Sequence, residues 1–141
     1  RNCHIDLNCV WKISNYNLNF YEVEDAEFST IAEFKNSDHN SGRRSKRKEY
    51  QVSSISLNDL LVKYNAPKNI DYLSIDTEGS EYEILKNFNF KKYSVKVITV
   101  EHNFSEQRDE ILKLLSKNGY NRVLTGISKR DDWYIFSNNN N

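Results

Sequence analysis

The chain has 141 residues, 38% of them hydrophobic and 13% aromatic, which suffices for one globular core and calls for no second domain. Twenty basic residues cancel twenty acidic ones, excluding the strong positive field expected of a nucleic-acid-binding domain. No apolar run approaches the roughly eighteen residues of a membrane helix and no signal peptide is visible, while a start at Arg1 with no methionine anywhere reads as a piece of a longer protein.

From Cys3 to Trp11 apolar residues recur at strand spacing. On one continuous strand Cys3 and Cys9 would lie roughly 20 Å apart, beyond disulfide reach. They are expected as two buried thiols, pointing to a reducing compartment and a cytoplasmic location. After a turn at Ser14 to Asn17, Leu18, Phe20 and Tyr21 predict a second short strand ending near Val23. Residues 36–49 are polar and charged without apolar periodicity and read as a flexible loop. The run Arg43 to Lys48 within it reads as solvated charge rather than a nucleic-acid or phosphate site.

At Ser56 the period changes. Leu57, Leu60, Leu61 and Tyr64 fall on one helical stripe, with Ser56 as N-cap and Asp59 three residues on; Asn65, Ala66 and Pro67 end it. Ile70 to Asp76 reads as a buried strand passing directly into a helix, with Ser80 and Glu83 in capping-box spacing and Glu81, Ile84, Leu85 and Phe88 on a stripe. Val95 to Val100 is a second β-branched strand, and Phe104 to Tyr120 a helix with Ile111, Leu114, Leu115 and Asn118 on one face and Gly119 at its end. Arg122 to Ile127 and Trp133 to Phe136 read as two closing strands joined by a short turn at Lys129 and Arg130, and Asn138 to Asn141 as a disordered tail. The order is α/β: residues 77–94 are long enough for a right-handed parallel crossover, and the last two strands form an antiparallel hairpin.

In open α/β sheets ligands collect at the carboxyl ends of parallel strands. Two such ends are readable, Asp76-Thr77-Glu78-Gly79-Ser80-Glu81 and Glu101-His102-Asn103. Neighbouring strands lie about 4.8 Å apart, so Asp76 and Glu78 would approach Glu101 and His102. Such a cluster can deprotonate a hydroxyl, raise its own members' pKa values or hold a divalent cation. No metal site is assigned. Gly79 would let a ligand approach the backbone; Glu78 and Glu81 also suit the positive end of a helix dipole. Asp131, Asp132, Trp133 and Tyr134 are candidates for the rim of the cleft, with Trp133 and Tyr134 the kind of residue that more often serves the core.

The stretch Ile70 to Leu85, followed by Val97 to Asn103, Asn118 to Tyr120 and Asp131 to Ile135, resembles the C-terminal half of FkbM-type methyltransferases. The resemblance implies a Rossmann-like class I methyltransferase sheet, mostly parallel with a terminal antiparallel hairpin, and methyl transfer from S-adenosyl-L-methionine to a hydroxyl of a sugar, glycan or other small molecule. It puts Asp76, Glu78, Glu101 and His102 in catalytic positions. The glycine-rich turn and the acidic residue that hold the cofactor in that fold have no counterpart here, so residues 1–137 are expected to be a partial domain whose N-terminal strands and main cofactor motifs precede Arg1. The fragment alone would then be inactive. The competing expectation is a non-catalytic domain that keeps the fold and acts through protein contacts; a nucleic-acid partner is not expected.

Overall fold

The structure, a computed structural model, describes residues 3–24, 29–34 and 47–137. Among the described residues, eight strands and three α-helices follow in the order β1 (Cys9–Trp11), β2 (Asn17–Val23), β3 (Thr30–Ile31), a 3-10 turn, β4 (Arg47–Ser56), α1 (Leu57–Lys63), β5 (Asn69–Ile75), α2 (Glu81–Lys86), β6 (Ser94–Glu101), α3 (Gln107–Lys117), β7 (Tyr120–Val123) and β8 (Asp131–Phe136). They form two four-stranded sheets, β1-β4-β2-β3 and β5-β6-β8-β7.

The expectation of a mostly parallel sheet holds in part: both sheets are mixed, and in the second β5, β6 and β7 run in one direction while β8 alone runs against them. Only β1 with β4 and β5 with β6 run parallel; the other four pairings are antiparallel. Strands of one direction need a long crossover, and the connections from β5 through α2 to β6 and from β6 through α3 to β7 supply two, with β8 inserted antiparallel between β6 and β7. The terminal antiparallel pairing of β7 with β8 is present, joined by residues 124–130 rather than a short turn.

Local chemistry accounts for most boundaries. Ser56 caps α1 by accepting from the Asp59 amide at 3.1 Å, a contact worth about 1 kcal/mol, and Asn65 at φ 50° ends the turn before Pro67. Gly119 at φ 86° closes α3 in the left-handed conformation that favours glycine. That helix begins only at Gln107 because Asn103 and Phe104 are themselves left-handed, at φ 40° and 57°.

Three expectations near the N-terminus change. Strand structure is confined to Cys9–Trp11; Cys3 is exposed and Cys9 half-buried, since residues 3–8 lie outside any sheet and give Cys3 nothing to pack beneath. The 36–49 loop lies outside the described residues up to position 46, and from Arg47 the chain is β4, whose partner β2 pairs Val23 with Arg47 and Phe20 with Tyr50. The tail 138–141 also lies outside the described residues.

The main core lies between the second sheet and its helices. Ile98 and Val95 of β6, Leu85 of α2, Leu115 of α3 and Tyr134 of β8 are all 0% exposed, each apolar side chain contributing about 1.5–3 kcal/mol of burial. A smaller cluster of Trp11, Leu18 and Ile31 belongs to the first sheet. No helix among the described residues is long and apolar enough to cross a membrane.

Candidate functional site

The run Asn69–Ile75 alternates about a buried stripe, Leu73 and Ile75 facing the core, and its pairing with β6 sets Ile75 opposite Val100. The register therefore ends both strands near one level, with Asp76 just beyond β5 and Glu101 the last residue of β6. After Asp76 the backbone turns sharply: Glu78 lies at φ 55° and Gly79 at φ 118°. A glutamate in this region costs on the order of 1 kcal/mol, so neighbouring contacts must hold it there.

Those contacts come from both sides. Thr30 of β3 donates its hydroxyl to the Glu78 carbonyl at 2.9 Å, a buried bond linking the first sheet to this turn. Glu81, at the start of α2, accepts from the Thr77 amide (2.8 Å), the Thr77 hydroxyl (3.0 Å) and the Gly79 amide (3.1 Å). Burial pushes the Glu81 carboxyl up, and these donors pull it partly back. The expected capping box does not form: Ser80 makes no side-chain cap bond and donates instead to the Thr77 hydroxyl at 2.7 Å. Glu81 has taken over the turn's donors.

One carboxylate oxygen from each of Asp76, Glu78 and Glu101 lies within 4.8 Å of the others. Asp76 is exposed, Glu101 half-buried and Glu78 buried. Such spacing accommodates either a shared cation or a shared proton. Glu101 is pushed up to about 9 by burial, by its hydrogen bond to Asp76 and by the charges of Asp76, Glu78 and Glu81. Burial and these neighbouring charges favour the protonated form of Glu101.

His102 stands differently. Its Nδ1 accepts from the Phe104 amide at 3.0 Å, which leaves the proton of a neutral ring on Nε2. That nitrogen is 3.8 Å from Asp132 Oδ1, too far for a hydrogen bond, and has no hydrogen-bond partner among the described residues. Burial and the Arg108 charge push its pKa down despite Asp132. Although His102 lines the same small pocket as Glu101, its bonds fix the left-handed Asn103-Phe104 turn rather than join the carboxylates.

Asp132, considered at first only as rim, is a buried anchor. Arg108 grips it with two bonds of 2.8 Å and Arg122 adds one at 3.3 Å. Burial alone would raise its pKa, but Arg108, His102 and Arg122 hold it below the usual carboxylate range. Strand alternation then separates the quartet: Asp132 and Tyr134 face the core, whereas Asp131 and Trp133 line a groove of about 420 Å³ with Leu124, Ile127, Ser128, Lys129 and Arg130. Asp131 pairs with Glu101 across the ladder, so the groove adjoins the carboxylate cluster.

A family model described as methyltransferase FkbM domain matches residues 1–122. The chain belongs to the FkbM methyltransferase family. The match includes the β5 and β6 carboxyl ends and all four residues Asp76, Glu78, Glu101 and His102. Membership of the FkbM family implies a class I methyltransferase fold, and here β5, β6 and β7 run in one direction with β8 reversed between β6 and β7. No curated protein and no solved structure matches the chain.

The grip of Glu81 on the turn, and Thr30 and Arg108 as parts of the site, escaped sequence reading. For Glu81 the signal was available, since an acidic residue four positions after Thr77 can reach back over a turn. For Thr30 and Arg108 none was, because their contacts cross 48 and 24 residues of chain.

Proposed function

We propose that this domain works in S-adenosyl-L-methionine-dependent O-methylation of a hydroxyl on a sugar, glycan or other small acceptor, with Asp76 as the group that takes the hydroxyl proton. The observation that carries the reading is the meeting of Asp76, Glu78 and Glu101, one carboxylate oxygen of each within 4.8 Å of the others, at the level carboxyl ends of two parallel strands. An acceptor hydroxyl entering from solvent meets Asp76 first, because Asp76 is exposed while Glu101 and Glu78 lie behind it. Glu101, holding its proton, orients Asp76 through the hydrogen bond and keeps a third negative charge out of the cluster. General-base help of this kind contributes about 10²- to 10⁴-fold, with the rest of the rate coming from positioning of the reacting atoms.

The groove beside Asp131 supports the acceptor class. Trp133 offers an aromatic surface and Ser128, Lys129, Arg130 and Asp131 offer polar groups around it, a lining suited to a ring that carries hydroxyls. The pocket beside Gly79, Glu81 and Glu101 has a volume of about 10 Å³, room for about one water, so that pocket does not hold the bulk of the methyl donor. What this chain contributes is proton handling and orientation.

The test is incubation of that protein with methyl-labelled S-adenosyl-L-methionine and a panel of sugars and glycans. Label transferred to an oxygen of an acceptor supports the reading; cofactor binding with label transferred only to nitrogen or carbon contradicts O-methylation, and no cofactor binding favours a domain acting through protein contacts.

A further inference from the structure

The peptide unit joining Glu78 to Gly79 is gripped at both ends. Its carbonyl accepts the Thr30 hydroxyl at 2.9 Å, and its N–H donates to the Glu81 carboxylate, 3.1 Å from each oxygen. One residue pair earlier, the Thr77 N–H that follows Asp76 donates to the same Glu81 oxygen at 2.8 Å. Two consecutive positive-φ residues, Glu78 and Gly79, are thus held by one side chain, itself only 4% exposed and rooted in α2 beside fully buried Leu85.

We propose that Glu81 is a positioning residue that sets Asp76 and Glu78 against Glu101 by fixing the turn between β5 and α2. The reach of the side chain, rather than its charge, carries the effect. Glutamate spans the four residues back to Thr77 and still meets Gly79. Aspartate, shorter by one methylene of about 1.5 Å, keeps the charge but cannot satisfy both donors. Glutamine keeps an oxygen where Oε1 now accepts from Thr77 and Gly79, and loses the charge together with the second, Oε2 acceptor of the Gly79 N–H. This inference borrows its functional meaning from the reading of Asp76 and Glu101 as the proton-handling pair, but its geometry stands apart from any methyl transfer.

The test uses the 141-residue chain with ¹³C-labelled glutamate side chains and follows the Glu101 carboxyl through a pH titration by NMR, with folding checked by circular dichroism. Neither cofactor nor acceptor is needed, so failure here is distinct from failure of O-methylation. The expected result is that E81D lowers the Glu101 midpoint by about 1 pH unit or more, as Asp76 and Glu78 move away, and that E81Q lowers it by less. A larger shift in E81Q than in E81D would make Glu81 a charge and not a positioning device, and no shift in either would reduce it to a fold contact; both overturn the proposal. If E81D does not fold, Thr77→Val removes one donor to the same oxygen with the charge unchanged: a smaller fall in the Glu101 midpoint supports the proposal and an unmoved midpoint overturns it.

Discussion

Replacing Asp132 by asparagine should destabilise the domain while replacing its neighbour Asp131 should not. The Asp132 side chain is 3% exposed and bound to Arg108 and Arg122, whose side chains are 31% and 26% exposed. A hydrogen bond to a charged group contributes about 1.5–3 kcal/mol, and breaking a wholly buried pair costs about 3–5 kcal/mol. Here water can reach both arginines once they are released, which moves the expected loss to about 2–3 kcal/mol. For a chain of this size that lowers Tm by roughly 6–15 °C. Because the folded pKa of Asp132 is depressed, its stabilisation is fully present above the unfolded value of 3.8 and is lost as pH falls through the folded one. The D132N deficit should therefore be full at pH 7 and close on strong acidification. Calorimetry or thermal circular dichroism of wild type, D132N and D131N measures it. A D132N melt within about 2 °C of wild type at pH 7 would refute the view that this ion pair anchors β8 to α3.

The raised pKa of Glu101 has the opposite sign. Its folded value of about 9 exceeds the ordinary 4.5, so the folded chain holds an extra proton between them and stability falls as pH rises across that window; E101Q should flatten the dependence, and an identical pH slope in denaturant melts of both proteins would contradict it. Thiol accessibility gives a second check. Cys3 is exposed whereas Cys9 is half-buried with its pKa raised by burial, so a maleimide should label Cys3 first in the native chain, and equal rates followed by mass spectrometry would show that β1 does not shield Cys9.

The helices and the second sheet were legible because their signals are local. Ser56 and Asp59 cap α1 where their spacing indicated, Gly119 ends α3, and the β-branched runs Asn69–Ile75 and Ser94–Glu101 pair in parallel across the expected crossover. The first sheet was largely illegible. Thr30–Ile31 is too short to show a period, and β4 opens with Arg47-Lys48-Glu49, whose charges look like loop until β2 is seen beside them. At the site, the approach of Asp76 to Glu101 followed from strand register, whereas Glu78 is brought in by the positive-φ turn that Thr30 and Glu81 hold. The diversion of His102 did not, because it depends on the left-handed Asn103-Phe104 turn, and two successive non-glycine residues in that region leave no mark in the sequence.

The central claim is that the exposed member of the carboxylate pair takes the acceptor's proton. Its most direct test is the rate of label transfer from methyl-labelled S-adenosyl-L-methionine by the protein that carries this domain, wild type against D76N, with binding of the cofactor measured in parallel. The account predicts a fall in turnover of about 10²-fold or more with cofactor binding and Tm close to wild type. Undiminished turnover by a folded D76N protein would contradict it and remove Asp76 from the chemistry.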